Sequence, residues 1–223
     1  TWLAKGIMGI AQQRSVPKLA STTLENWNKK RHVTSSAVEK SSKKVYLFND
    51  EFTNYYDVEI GKDAVFVLEK LGYEIIVLEH YESGRSFISK GFLKEAKLVC
   101  NKNIALFKDI ISEETPLIGI EPSAILTFRD EYIRLADDKI SAEKIAKNTF
   151  TIEEFLTNEH QKGMIDTSLF TSESKTLKIH GHCHQKALSS TAASFTVLNI
   201  PKNYLVSILN TGCGGMAGSF GYE

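Results

Sequence analysis

Residues 45–51 read Val-Tyr-Leu-Phe-Asn-Asp-Glu, and the reading of the whole chain starts from this passage. Four consecutive apolar residues are too short a run for a helix; they suit a strand buried on both faces. The polar Asn49-Asp50-Glu51 then marks its carboxyl end. The same unit recurs downstream. Residues 61–71 put Ala64, Val65, Leu68 and Leu71 on one helical face, and Gly72 stands where a C-cap belongs. Residues 73–78 (YEIIVL) read as a second strand, 92–107 as a longer amphipathic helix, and 117–120 (LIGI) as a third strand broken by Glu121-Pro122-Ser123. The spacing predicts a helix over 125–135 and one or two short helices over 141–156, with a capping box at Thr151-Ile152-Glu153-Glu154. Residues 176–179 and 204–209 read as strands on either side of a helix over 186–198.

Strands alternating with helices predict an α/β fold, with parallel sheet or sheets flanked by helices. Two similar β-α-β halves are expected, at about 44–136 and 175–223 of one domain spanning 44–223. Asp50 to Glu82 is an interval of 32 residues and Cys183 to Cys213 one of 30, a weak internal repeat. Residues 1–43, rich in Lys, Arg, Ser and Thr, read as an N-terminal arm or linker. A short helix opens there at the capping-box pattern Thr22-Thr23-Leu24-Glu25.

Composition narrows the function. The chain has 223 residues, 27 Lys and Arg against 27 Asp and Glu, and 42% hydrophobic residues, which excludes disorder and a nucleic-acid binder working through bulk charge. No apolar run is long enough to span a bilayer. No signal-peptide pattern opens the chain, and the missing initiator Met suggests a fragment or processed form. Three cysteines, at 100, 183 and 213, form no even disulfide framework, so a cytoplasmic setting is expected, with peripheral attachment at the inner membrane as a variant.

Ligands in parallel α/β sheets sit beyond the carboxyl ends of the strands, and the unusual polar clusters all follow predicted strands. His180-Gly181-His182-Cys183-His184 packs half of the 6 histidines and one of the 3 cysteines into five positions. Imidazole and thiolate are the usual ligands of zinc and softer metals, so Cys183, His180, His182 and His184 are candidate metal ligands, with an exposed His-rich turn as the structural alternative. Thr211-Gly212-Cys213-Gly214-Gly215 adds a glycine loop with Cys213 as a further candidate ligand and Gly212 and Gly214 as candidate cofactor contacts. A dinucleotide fingerprint is rejected there, because no β-α-β unit follows it. Glu82, Arg85, Glu121 and Ser123, also at strand ends, are candidate cofactor-binding residues. Cys100 falls on an apolar helical face and reads as core. A hydrolase with Cys183 as nucleophile and His182 or His184 as base is disfavoured, since neighbours on one turn rarely hold the needed geometry.

The strings HGHCHQKAL (180–188) and GCGGMAGSFGYE (212–223) resemble the last part of large bacterial FAD-linked oxidases of the D-lactate or 2-hydroxy-acid dehydrogenase type. Leu47–Tyr55, Glu82–Gly91, Gly119–Tyr132 and Arg14–Trp27 extend the resemblance over nearly the whole chain. Such proteins carry an FAD domain, a ferredoxin-like segment and a cysteine-rich "CCG" domain, which is shared with one of the heterodisulfide reductase subunits and with glycolate oxidase iron–sulfur subunits. The resemblance implies an electron-transfer or metal-binding domain that is not catalytic alone. FAD would lie elsewhere in the parent, and the parent's FAD and ferredoxin-like domains and an electron acceptor would be its partners. It also implies cysteines where this chain has Glu82-Ser83, Ala124 and Gly214, leaving Cys183 and Cys213 at family ligand positions. Three outcomes stay open: an iron–sulfur cluster helped by His or carboxylate, a single ion such as zinc, or a degenerate, metal-free docking or regulatory module.

Overall fold

The strand at 45–48 runs through the middle of a parallel sheet in the computed structural model, which describes residues 2–7, 9, 11–13, 18–32 and 43–212. β1 (Lys43–Phe48), β2 (Tyr73–Ile76), β3 (Leu117–Gly119) and β4 (Thr149–Thr151) form that sheet in the order β2-β1-β3-β4; β5 (Lys175–Ile179) and β6 (Tyr204–Ile208) form a second, two-stranded parallel sheet. The helices in chain order are α1 (Trp2–Ile7), α2 (Leu24–His32), α3 (Glu51–Tyr55), α4 (Val58–Lys70), α5 (Arg85–Lys90), α6 (Leu93–Phe107), α7 (Pro122–Ile125), α8 (Glu131–Leu135), α9 (Lys139–Lys147), α10 (Ile152–Gln161), α11 (Cys183–Leu188) and α12 (Thr191–Leu198). The expected α/β architecture is therefore present. Among the described residues no helix is long and apolar enough to cross a membrane.

The four-stranded sheet is buried on both faces, as its unbroken apolar runs require. Val45 and Leu47 of β1 and Ile118 of β3 share one core with Val65 and Leu68 of α4 and Phe155 of α10. The alternate residues Phe48 and Leu117 join the opposite core with Cys100, Phe107, Phe128 and Tyr132. Burying each large apolar side chain contributes roughly 1.5–3 kcal/mol. The register pairs Phe48 with Gly119 and Gly119 with Thr151, so the exit loops of β1, β3 and β4 leave at one level. Gly119 is required there: a Cβ would lie 2.4 Å from Cβ of Ile125.

Several local expectations are corrected. Residues 149–151, inside the stretch read as one or two short helices, pair with β3 as the edge strand β4. The helical periodicity on both sides hides a three-residue strand, whereas the capping box is present, Thr151 accepting from the Glu154 amide and Glu154 from that of Thr151. The single helix expected over 125–135 is divided by a 3-10 turn at Leu126–Arg129 and by the non-helical backbone of Asp130. The helix expected over 186–198 is also two: α11 starts earlier, at Cys183, and Ser190 caps α12 by accepting from the Ala192 amide. β2 ends at Ile76 rather than Leu78. In the arm, Thr23 rather than Thr22 caps α2, its hydroxyl accepting from the Asn26 amide at 3.1 Å.

Candidate functional site

The histidine cluster is built around the start of α11. His182 is its N-cap: Nδ1 accepts from the His184 amide at 3.2 Å, which places the ring proton on Nε2. That Nε2 lies 3.5 Å from Oε1 of Glu121, the N-cap of α7 at the exit of β3. The other Glu121 oxygen is occupied internally, accepting from Ser123 Oγ at 2.6 Å and the Ala124 amide at 2.7 Å. The rings of His182 and His184 stack with centroids 5.6 Å apart. Gly181 permits the turn before them, since a Cβ there would meet Cγ2 of Thr191 at 2.2 Å.

His184 reaches across to the exit of β2. Its Nε2 is 3.1 Å from Nη1 of Arg85, whose Nη2 donates to Glu131 at 2.5 Å. A guanidinium can only donate, so Nε2 of His184 is the acceptor and Nδ1 carries the proton. Burial holds His184 below its ordinary pKa, and the charge of Arg85 adds to this, so the ring is neutral near pH 7. Arg85 is only 3% exposed. Arg85 Nε, Glu131 Oε2 and His184 Nδ1 are buried without a hydrogen-bond partner.

A second polar junction lies beside the first. Arg129 donates from Nη1 to both oxygens of Glu154, at 2.8 and 2.7 Å, and from Nη2 to the Leu188 carbonyl at 3.1 Å. Glu154 also accepts from the hydroxyl of Ser189 in the turn between α11 and α12. Carboxylates of the first sheet thus hold the loops of the second.

The structure brings together Arg85 with His184 and Glu121 with His182. Ser123 is buried and turned to Glu121. His180 is exposed and only meets Thr211, Oγ1 at 3.2 Å from its Nδ1. Gly212 is exposed and receives Lys186 Nζ on its carbonyl at 3.2 Å. Glu82 is exposed at the mouth of a separate cleft, its carboxyl raised above the usual range by partial burial and by Glu51. Cys183 is partly buried at the first position of α11. Cys213 and Gly214 lie outside the described residues. Cys100 is buried in the core, where desolvation pushes its thiol up to about 12.

Sequence reasoning missed Glu131, Arg129 and Glu154. Their charges look like those of any solvated helix face, and only the Glu at the third position of the capping box hinted at a fixed role for one of them.

Among the described residues the donor set falls short of an iron–sulfur cluster. Such a cluster is held by about four thiolates, with imidazole as an occasional substitute. Cys183 is the one thiol at this edge among the described residues. Ser83 is buried and bound to Glu51 by its amide at 2.9 Å and its hydroxyl at 2.6 Å, and Ala124 is fully buried. The lone pair of His184 Nε2 is taken by Arg85. Among the described residues no three His, Cys, Asp or Glu side chains are grouped to hold a metal ion.

Comparison with known proteins gives relatives of one general kind. The chain is 26% identical over 218 residues to D-2-hydroxyglutarate dehydrogenase of Escherichia coli, covering 97% of this chain and 20% of that protein. It is 26% identical over 197 residues to the D-2-hydroxyglutarate dehydrogenase of Haemophilus influenzae, covering 84% of this chain and 18% of the relative. One of the subunits of the anaerobic glycerol-3-phosphate dehydrogenase of Escherichia coli is 24% identical over 228 residues, 99% of this chain and 54% of the relative. The chain thus spans about a fifth of the length of the hydroxyglutarate dehydrogenases it matches. No family model matches the chain, and no solved structure does.

Proposed function

We propose that this chain serves as a docking domain of an FAD-linked 2-hydroxy-acid dehydrogenase-like oxidoreductase, in which a protein-made ion network stands in place of a metal cluster. The relatives supply the oxidoreductase context: two are named for oxidation of a 2-hydroxy acid, and one is named as part of a dehydrogenase with several subunits. The observation that carries the cluster-free reading is the Arg85 guanidinium, seated between His184 and Glu131 at the junction of the strand-exit loops. A buried cation with two fixed partners holds the loops without metal.

In this role the domain presents a rigid edge to the flavin-bearing and ferredoxin-like parts of the parent, and electrons leave the flavin by centres outside these residues. The test is reconstitution of the protein under anaerobic conditions with iron and sulfide, and separately with zinc. A colourless product without stoichiometric metal, whose melting temperature a chelator leaves unchanged, is expected. Broad visible absorption that disappears in Cys183→Ser would refute the cluster-free reading and restore electron transfer through this domain.

A further inference from the structure

A different cleft, of about 120 Å³, opens where β1 and β2 exit. Glu25, Glu51, Glu79 and Glu82 line it together with Asn49 and Asn54. Four carboxylates around so small a space repel one another unless something positive sits among them. Lys29 offsets part of this charge: its Nζ is 2.5 Å from Oε1 of Glu25, on a side chain 60% exposed, and it also feels Glu79. Glu51 is fixed by the amide and hydroxyl of Ser83. His80, also in the lining, contributes no charge, because its Nε2 accepts from the Asn49 amide at 3.0 Å while burial lowers its pKa.

Asn49 is the independent observation. It is 9% exposed, and its Oδ1 is buried with no hydrogen-bond partner. Its orientation is determined by its neighbour. Asn54 Oδ1 accepts from the Glu25 amide at 3.1 Å, and Asn49 Nδ2 donates to that same oxygen at 3.0 Å, so the free atom of Asn49 is the oxygen. A buried carbonyl oxygen without a donor is unfavourable, because it has given up water and gained no partner. The cleft therefore offers acceptors and negative charge, with the Tyr55 hydroxyl and the Asn54 amide nitrogen as neutral donors in its lining.

We propose that this cleft binds a small organic cation, a guanidinium or primary ammonium group, which donates to Asn49 Oδ1 and to the surrounding carboxylates. A divalent ion fits less well: it needs several oxygens at about 2.0–2.6 Å from one point, and no three acidic side chains among the described residues are so grouped. A planar or tetrahedral N–H donor group reaches acceptors about 2.7–3.0 Å from each nitrogen, and so suits a wider cage. The volume holds a group several water molecules in size.

The test is titration of the protein with methylguanidinium and with agmatine, read by calorimetry and by the side-chain amide signals of Asn49 and Asn54. One cation bound per molecule is expected, with affinity reduced about tenfold or more in Glu82→Gln and in Glu79→Gln, the loss of one charge-assisted hydrogen bond. Both side chains are exposed, so these variants keep the fold. Agmatine binding more tightly than methylguanidinium identifies a free diamine-like ligand; equal affinities identify a protein-borne arginine or lysine head group. Sodium chloride at the same ionic strength reproducing the signal changes, magnesium binding more tightly than either organic cation, or unchanged affinity in both variants overturns the proposal.

Discussion

Arg85 Nη1 and His184 Nε2 stand 3.1 Å apart across 99 residues of chain. This contact ties the loop leaving β2 to the loop leaving β5, and so joins elements that belong to different sheets. With the Arg85–Glu131 ion pair it makes the guanidinium a fixed post. Arg85→Met leaves Glu131, whose side chain is 21% exposed, without its cation. Breaking a buried pair in this way costs about 3 kcal/mol, which a urea titration measures. The same variant should raise the His184 pKa, since Arg85 is one of the charges holding it down, although burial is the larger cause and keeps part of the depression. Arg85→Lys is expected to restore neither property in full, because an ammonium lacks the fork that spans both partners. A His184 titration unchanged in Arg85→Met would contradict this arrangement.

Asp50 caps α3, its Oδ1 accepting from the amides of Phe52 and Thr53 at 2.9 Å each, and Oδ2 accepting from Thr53 Oγ1 at 2.7 Å. Burial pushes its carboxyl from 3.8 up to about 7, and the charges of Glu121 and Glu51 act in the same direction. The folded state therefore holds this proton more firmly than the unfolded chain. The associated stability is fully present below the unfolded pKa and is lost as pH rises through about 7. The slope is at most about 1.4 kcal/mol per pH unit between those limits. Asp50→Asn keeps an acceptor for the amides and cannot ionise, so its stability should fall less between about pH 4 and pH 7, the interval between the unfolded and folded values. Parallel stability–pH curves for the two proteins would count against this account.

Gly181→Ala drives a methyl into Thr191, 2.2 Å from Cγ2, and towards Lys186 Cε at 3.0 Å. The flexible lysine can move, whereas the β-branched threonine at the start of α12 cannot do so cheaply. The substitution should cost about 1–3 kcal/mol. Adding Thr191→Ser removes the clashing methyl and should recover most of the loss, as a thermal melt of the double variant would show. No recovery would mean that the glycine serves something other than this close approach.

Glu154 serves three partners at once: the guanidinium of Arg129, the amide of Thr151 and the hydroxyl of Ser189. Glu154→Ala should therefore cost more than the ~1 kcal/mol of a lost helix cap, about 2–3 kcal/mol. Amide exchange should accelerate first at 188–190, where the Leu188 carbonyl and Ser189 hydroxyl lose their anchor. Exchange that quickens evenly over the domain would argue against a local anchor.

The placement of these residues was legible only in part beforehand. The run at 45–48, the helical face of 64–71 and the box at 151–154 were readable because local chemistry decides them: apolar period, capping oxygen, strand length. The short strand 149–151 was not, because three residues carry no period of their own and take their conformation from β3 alongside. That Glu121 and His182 both follow strands was readable, but that they meet was not. This contact, and that of Arg85 with His184, depended on which exit loops lie adjacent.

The amino-acid sequence by itself determined the alternation of strands and helices, the parallel α/β class and the histidine-rich turn after β5, since each depends on neighbours a few residues apart. Only the tertiary structure decided which charges meet. Glu131 and Arg129 read as ordinary surface residues until the fold partly buries them against Arg85 and Glu154. Long-range pairing of charges carries no local signal: it is set by where distant loops come to rest, and by the cost of leaving a buried ion without its partner.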